Sequence, residues 1–246
     1  MEEGKNPTFN IYVMSYQRSD RIVTQSLFEY CTYVVRESEA ELYKKAGVKN
    51  LLIIPADCPC WNFMDTLWWI IWNTPEDVIF ISDDDITRFA YRMDDYTPID
   101  HDNFADPVAT ATEEIERIGQ ILYDLNLGLA YDGPQKNLHF YDKEWNFKGM
   151  PGHCRWVNKK ALKAKYDYKD DAACDIDMAM QEMLYNRITL QPKYFLSDGG
   201  EMETNAGGVT MTRNETIAIR MAMENKWGKY YEYNVRNNQA RINIKR

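Results

Sequence analysis

Short apolar runs alternate with amphipathic stretches along the first third of the chain. Candidate strands lie at Asn10–Met14, Thr32–Arg36 and Leu51–Pro55, and helices are expected between them at Ile22–Cys31 and Glu39–Ala46. Strands that alternate with helices at this spacing indicate a parallel sheet with right-handed crossovers. We therefore expect an α/β fold.

A fourth strand lies in Val78–Ile86, VIFISDDDI, where four apolar residues and a serine precede Asp83, Asp84 and Asp85. An apolar run of this kind is typical of a strand buried on both faces in the middle of a parallel sheet. Side chains alternate along a strand, so we expect Asp83 and Asp85 to point one way and Asp84 the other. Two carboxylates at a strand end suit a hard divalent cation, although a turn or helix cap is the commoner role of such clusters.

The rest of the chain is less regular. Further elements are predicted as helices at Phe63–Asn73, Thr110–Asn126 and Thr212–Lys226, strands at Leu127–Tyr131, Leu138–Tyr141 and Thr189–Phe195, and loops at Arg88–Pro107 and Ser197–Gly208. Capping boxes at Thr110 and Glu113, and at Thr212 and Glu215, mark two of the helix starts. The polar segment after Trp227 is expected to be a solvated tail.

A second acidic motif lies in Cys174–Tyr185, CDIDMAMQEMLY. Methionines at helical spacing predict a buried helix face, which places Asp175 and Asp177 in or just before the first turn. A carboxylate there is favoured by the free backbone amides, so a plain cap is one interpretation. The other is a catalytic base that points into a cleft.

Composition narrows the class of protein. At 246 residues and 45% hydrophobic content the chain suits one α/β domain. A net charge of -9 argues against coating nucleic acid through bulk electrostatics, but leaves room for a local basic track made of Arg155, Lys159, Lys160 and the tail. Five cysteines and the lack of a leader indicate a reducing cytoplasm. Cys58 and Cys60 form a C-x-C pair of a kind that can hold a metal, but no second cysteine or histidine pair lies at a zinc-like spacing, so we expect ordinary thiols. No apolar run is long enough to span a membrane.

These motifs resemble those of metal-dependent nucleotide-sugar glycosyltransferases of the GT-A fold. The likeness lies in the opening strand with SYQRSDR, the D-x-D motif in SDDDI and the later acids in CDIDMAM. The resemblance implies a Rossmann-like three-layer α/β/α fold with a mostly parallel central sheet. It further implies one domain, 1–246, in which 1–90 bind the nucleotide sugar and 91–246 bind the acceptor.

A closer resemblance is to the TET-associated glycosyltransferases of bacteriophages, which act on oxidised methylcytosine in phage DNA. Three segments are similar to that family: Ser15–Arg21, Val34–Tyr43 with VVRESEAELY, and Asp83–Phe89 with DDDITRF. Trp61 stands where an arginine is expected before the helix that precedes the acidic strand. The resemblance implies modified DNA as acceptor, a hydroxymethylated cytosine, and the host cell cytoplasm as location.

The resemblance also implies roles for individual residues. Mn²⁺ or Mg²⁺ would be held by Asp85 and Asp83, and Asp175 would be the catalytic base, with Asp177 as the alternative. A third metal ligand is open between Asp198 and His153. The residues expected to contact the nucleotide sugar, most simply a UDP-sugar, are Ser15, Arg18, Arg21, Glu37, Asp83 and Asp84.

Three alternatives stay open on the sequence. The acceptor is a carbohydrate, lipid or protein instead of DNA, an option that the acidic balance favours. A second alternative is a module that binds sugar nucleotides without catalysis. Nucleotidyl or phosphoryl transfer is the third, and it has little support because no glycine-rich phosphate loop with a lysine is present. The sequence does not indicate the oligomeric state.

Overall fold

The structure is a computed structural model that describes residues 6–60, 62–132, 143–199 and 211–244. The helices in these ranges are α1 (Ala40–Lys45), α2 (Phe63–Asn73), α3 (Pro107–Asp124), α4 (Asp175–Tyr185) and α5 (Arg213–Trp227). The strands are β1 (Phe9–Met14), β2 (Thr32–Arg36), β3 (Leu51–Ile54), β4 (Val78–Asp83), β5 (Ile86–Arg92), β6 (Tyr96–Pro98), β7 (Leu129–Tyr131), β8 (Trp145–Asn146), β9 (Cys154–Asn158), β10 (Gln191–Pro192), β11 (Phe195–Gly199), β12 (Tyr231–Asn234) and β13 (Gln239–Ile242). The predicted strand at 138–141 and Trp61 lie outside the described residues.

Six strands form the central sheet in the order β3–β2–β1–β4–β9–β7. Strands β1 to β4 are mutually parallel, whereas β9 is antiparallel to both of its neighbours. This confirms the predicted, mostly parallel sheet. Strand β4 has β1 on one edge and β9 on the other, and Val78–Ser82 are buried. The strand that carries the acids is therefore central.

Helices cover both faces of the sheet, which confirms the three-layer arrangement. Helices α2, α4 and α5 pack on one face through residues such as Leu67, Met180 and Met223. Helices α1 and α3 pack on the other face through Tyr43 and Ile115. Since Ile79 and Ile81 belong to the first core and Phe80 to the second, β4 anchors both. Among the described residues, no helix has the length and hydropathy that a membrane span requires.

The predicted helix at Ile22–Cys31 is wrong. A single 3-10 turn forms over Thr24–Leu27, and the chain is extended at Phe28. Distant side chains take the backbone amides that a helix would use. The Tyr33 hydroxyl accepts from the amide of Gln25, and the Thr112 hydroxyl accepts from that of Glu29, both at 3.1 Å. These tertiary bonds replace the local helix ladder.

The predicted loop at Arg88–Pro107 is also wrong, because most of β5 and all of β6 lie within it. With β11 they form a separate antiparallel sheet in the order β11–β5–β6. Ser197–Gly199 belong to β11 and not to the predicted glycine-rich loop. The rings of Phe89 and Phe195 stack at a centroid distance of 5.3 Å, so a partner about a hundred residues away in the chain fixes this sheet.

Several element boundaries differ from the prediction, among them the start of α3 and the segment after Trp227. Helix α3 begins at Pro107, because Asp106 caps it by accepting from the amide of Ala109; Thr110 lies inside the helix. The segment after Trp227 is not a solvated tail, since β12 and β13 form a hairpin. Tyr231 of this hairpin is buried in the core that contains α4 and α5.

Candidate active site

The three acids lie at the carboxyl end of β4, between β1 and β9 of the central sheet. The side chains of Asp83 and Asp85 are 31% and 28% exposed, whereas that of Asp84 is 6% exposed. Met14 of β1 is in register with Asp83, so the loop after β1 lies directly beside the acids. Strand β4 ends at Asp83, and Asp84 and Asp85 form the turn that leads into β5. This turn leaves the carboxylates of Asp83 and Asp85 accessible and buries that of Asp84.

Asp84 is the centre of a buried network under this edge. Its carboxylate accepts hydrogen bonds from the Ser15 hydroxyl and from Nη1 of Arg18. The Ser15 hydroxyl also lies 2.6 Å from the Tyr43 hydroxyl of α1. Burial raises the pKa of Asp84, and the bonds from Ser15 and Arg18 oppose that shift. Ser15 and Asp84, both expected to contact the nucleotide, are bonded to each other and hold the loop after β1 against the end of β4.

Arg18 connects the buried acid with an accessible one. The same Nη1 that binds Asp84 lies 3.4 Å from Oδ2 of Asp85, and the backbone amide of Arg18 donates to the Tyr43 hydroxyl at 3.2 Å. The guanidinium is therefore held at the edge of the site by groups from β4 and α1. A cation fixed in this way reduces repulsion between neighbouring carboxylates and suits a phosphate ligand.

Asp83 faces two basic groups from the start of β9. Nδ1 of His153 lies 3.8 Å from Oδ2 of Asp83, and Nη2 of Arg155 lies 3.9 Å from Oδ1. The contact with Asp83 is the main cause of a raised pKa of His153. These distances are ion-pair distances and exceed the range of direct hydrogen bonds.

The sequence left room for a basic surface track that includes Arg155, and the structure does not place Arg155 on the surface. Its side chain is 2% exposed, and its guanidinium lies over the Phe63 ring at 4.8 Å. Lys159 directly follows the other end of β9. Its ammonium binds the backbone oxygen of Thr74, which precedes the amino end of β4, at the opposite end of the strands from the acids. A charged residue inside the apolar strand CRWVN was the signal that Arg155 serves a buried group.

The remaining donor-side residues lie beyond β1. Glu37 is exposed at the end of β2, and its Oε2 accepts from the amide of Ala56 at 2.9 Å. Arg21 follows Arg18 in a turn, and its side chain is 43% exposed. The sequence did not point to Glu39, which is buried and accepts from the amide of Gln17 at 3.0 Å. This bond holds the loop after β1 against the end of β2.

The two acids of α4 have different surroundings. Asp177 is 3% exposed and binds Gln181 at 2.7 Å, Lys226 at 2.9 Å and the indole of Trp227 at 2.7 Å. Asp175 is partly exposed in the first turn, where its Oδ1 accepts from the amide of Ile176 at 2.8 Å. Asp177 therefore joins α4 to α5, while Asp175 keeps a more accessible carboxylate.

Asp198 and His153, the two candidates for a third metal ligand, contact different residues. The carboxylate of Asp198 lies 3.3 Å from the Tyr96 hydroxyl and 4.0 Å from Arg88, while His153 faces Asp83. Within the described ranges, no group of three His, Cys, Asp or Glu side chains is arranged to hold a metal ion. The two accessible carboxylates at this end of β4 are those of Asp83 and Asp85, and the His153 imidazole lies 3.8 Å from Asp83.

No protein-family model and no curated protein matches this sequence. Two solved structures share its fold. A mycobacterial protein gives a TM-score of 0.50 at 8% identity, over 88% of this chain and 72% of that chain. The mannosyltransferase PcManGT from Pyrobaculum calidifontis, solved with GDP-Man and Mn²⁺, gives 0.53 at 10% identity, over 89% and 62%. The chain thus spans less than two thirds of the mannosyltransferase. At these identities the likeness establishes the fold, which is a mixed α/β fold of the GT-A type.

Proposed function

We propose that this protein is a metal-dependent glycosyltransferase that uses a nucleotide-diphosphate sugar. The observation that carries the proposal is the end of β4, where Asp83 and Asp85 are accessible and Asp84 between them is buried and bonded. Clefts of open α/β sheets form at the carboxyl ends of strands. The shared fold supports the proposal, because the mannosyltransferase was solved with a nucleotide sugar and Mn²⁺.

The residues present fit Mn²⁺ or Mg²⁺. Two partly exposed carboxylates form an all-oxygen donor pair, and such ions are commonly bound by one or two carboxylates together with substrate phosphates. Asp85 and Asp83 would hold the ion, and the His153 imidazole beside Asp83 is a further ligand candidate. When bound, the cation would neutralise charge on the departing diphosphate.

The donor nucleotide is proposed to lie along the ends of β4, β1 and β2. Arg18 and Arg21 come from the loop after β1 and would meet phosphate or ribose oxygens, and Glu37 would accept a hydrogen bond from base or ribose. Asp84 and Ser15 would act by fixing Arg18, in keeping with their burial. Neutralising Asp84 should therefore weaken donor binding through Arg18.

Asp175 is the proposed base of an inverting reaction. Its carboxylate would accept the proton of the acceptor hydroxyl as that oxygen attacks the anomeric carbon, and the bond to the diphosphate breaks. Position supports Asp175 over Asp177, since three side chains already bind the Asp177 carboxylate. The half comprising 91–246 would bind the acceptor.

The acceptor we propose is the hydroxymethyl group of a modified cytosine in DNA. Three motifs at Ser15–Arg21, Val34–Tyr43 and Asp83–Phe89 support it through their likeness to the phage enzymes. One finding favours a carbohydrate, lipid or protein acceptor instead: Arg155 is buried and does not contribute to a basic surface. With a net charge of -9, a duplex-binding enzyme needs such a surface.

Transfer assays with several acceptors test both parts of the proposal. Radiolabelled UDP- and GDP-sugars are incubated with Mn²⁺ and either hydroxymethylcytosine DNA, unmodified DNA or a glycan panel. We expect metal-dependent transfer, its loss in Asp85→Asn, and its retention in Asp124→Asn. Asp124 is an exposed acid at the end of α3, shortly before the start of β7.

The outcomes separate the alternatives. Labelled DNA supports the DNA acceptor, while labelled glycan alone overturns it and keeps the glycosyltransferase. A protein that binds UDP or GDP with Mn²⁺ but neither hydrolyses nor transfers any sugar would be a non-catalytic binding module.

A further inference from the structure

A pair of cysteines lies on the donor side of the sheet, in the loop between β3 and α2. We call Cys58–Cys60, with the sequence CPC, the dithiol loop. The two Sγ atoms are 2.7 Å apart. Cys60 is buried, and Cys58 is half-buried. Sequence spacing alone predicted ordinary thiols, but the contact between the two sulfurs indicates a different role.

The backbone of the dithiol loop is arranged for ring closure. The amide of Cys60 donates to the carbonyl of Cys58 at 2.8 Å, which folds the three residues into a tight turn. Pro59 at the centre has its φ fixed near the value that an inverse γ-turn needs. A turn of this kind brings the two Cα atoms within the range that a disulfide spans. The turn therefore holds the two sulfurs next to each other, which favours ring closure.

The dithiol loop contacts Arg36, the chain neighbour of the proposed donor residue Glu37. Nη2 of Arg36 donates to the carbonyl of Cys60 at 2.9 Å, and its guanidinium lies 4.3 Å from the centre of the Tyr16 ring in the loop after β1. Two residues before the dithiol loop, the Ala56 amide binds Glu37. The dithiol loop is thus linked through Arg36 to the loop after β1 and lies next to the backbone that binds Glu37.

We propose that Cys58 and Cys60 form a reversible intrachain disulfide by exchange with a small-molecule disulfide, and that the closed loop binds the donor nucleotide more tightly. The thiolate of Cys58, the more accessible sulfur, attacks one sulfur of the small disulfide and releases one thiol. Cys60 then loses its proton to solvent and attacks Sγ of Cys58, releasing the second thiol. The protein loses two electrons and two protons, and the small disulfide gains them.

Thiol trapping of the wild-type protein tests the bond itself. The protein is equilibrated in buffers of reduced and oxidised glutathione, quenched with acid, alkylated and digested for mass spectrometry. We expect the peptide with Cys58 and Cys60 to lose two hydrogens as the buffer becomes oxidising and to regain them with dithiothreitol. Cys31→Ser should behave like wild type, because Cys31 lies at the start of β2. Free thiols at every ratio, or a glutathione adduct that never resolves, would overturn the proposal.

Nucleotide titration tests the coupling, which rests on the proposed function. The oxidised form should bind UDP or GDP with Mn²⁺ roughly threefold more tightly than the reduced form, because closure fixes the loop that binds Arg36, next to Glu37 in the chain. Cys58→Ser should bind like the reduced protein under all conditions. Equal affinity of both forms overturns the coupling. If neither form binds a nucleotide while the disulfide still forms, the proposed function fails and the modification site stands.

Discussion

Removing Arg18 should leave a buried charge without its main counter-ion. The side chains of Arg18 and Asp84 are 15% and 6% exposed, and they pair directly. Loss of one member of a buried pair costs roughly 3–5 kcal/mol, because the remaining charge is desolvated without compensation. Since Ser15 still donates to Asp84, we expect the lower end of that range, so Arg18→Met should lower the free energy of unfolding by about 3 kcal/mol.

Urea denaturation of the metal-free protein measures this energy in a double-mutant cycle. The variants are Arg18→Met, Asp84→Asn and the double variant, which should recover most of the loss because no unpaired charge stays buried. Arg21→Met is the matched control: this side chain is 43% exposed and lies 3.8 Å from Asp20, so it should cost less than about 1 kcal/mol. An Arg18→Met loss as small as that of the control, or no recovery in the double variant, would show that Arg18 does not compensate a buried charge on Asp84.

The unfolding free energy of Arg18→Met should depend on pH differently from that of the wild-type protein. Burial raises the pKa of Asp84 in the folded protein, and Arg18 opposes that shift, so Arg18→Met should raise this pKa further. A carboxyl whose folded pKa lies above its unfolded value contributes stability that is present below the unfolded pKa and lost as pH rises through the folded one. The difference in unfolding free energy between wild type and Arg18→Met should therefore be smaller near pH 4 than near pH 8.

Three further predictions concern other parts of the site. Asp177→Asn should lower the unfolding free energy by about 1–2 kcal/mol through the loss of its bond to Lys226, with nucleotide affinity unchanged in a titration. Asp175→Asn should reduce sugar transfer by about a hundredfold or more and leave UDP–Mn²⁺ affinity unchanged; an equal fall in affinity would argue against a base. Gly152→Ala should destabilise the fold by about 2 kcal/mol in urea, because a Cβ there would overlap Oδ1 of the buried Asp132, and a neutral result would refute that contact.

Local sequence signals were sufficient to predict those elements whose ends or apolar pattern the sequence itself defines. Helix α2 has the predicted bounds, since Asn62 and Asp65 form a capping box at its start. Strand β4 was evident because an apolar run of that length has few alternatives. By contrast, β5 contains exposed Thr87 next to exposed Arg88, which breaks the alternation, and its identity depends on pairing with β11.

The candidate site was predictable in its acids but not in their surroundings. The D-x-D pattern indicated which carboxylates are accessible, but for a different reason from the predicted strand alternation, since β4 ends at Asp83 and a turn carries Asp84 and Asp85. The burial of Arg155, the bond from Glu39 to the loop after β1 and the position of His153 beside Asp83 depend on how β9 and α1 pack. No local pattern encodes those contacts, so the sequence suggested a surface track where the structure has an ion pair.

The proposed function requires that Asp83 and Asp85 hold a cation together with a nucleotide diphosphate, and reciprocal titration tests this most directly. Binding of UDP and GDP is measured by calorimetry with and without Mn²⁺, and binding of Mn²⁺ by electron paramagnetic resonance with and without nucleotide, for wild type and Asp85→Asn. We predict that each ligand tightens the other by about tenfold or more, by the same factor in both directions, in wild type alone. Nucleotide binding that is indifferent to Mn²⁺ in the wild-type protein, or coupling that survives in Asp85→Asn, would contradict the account.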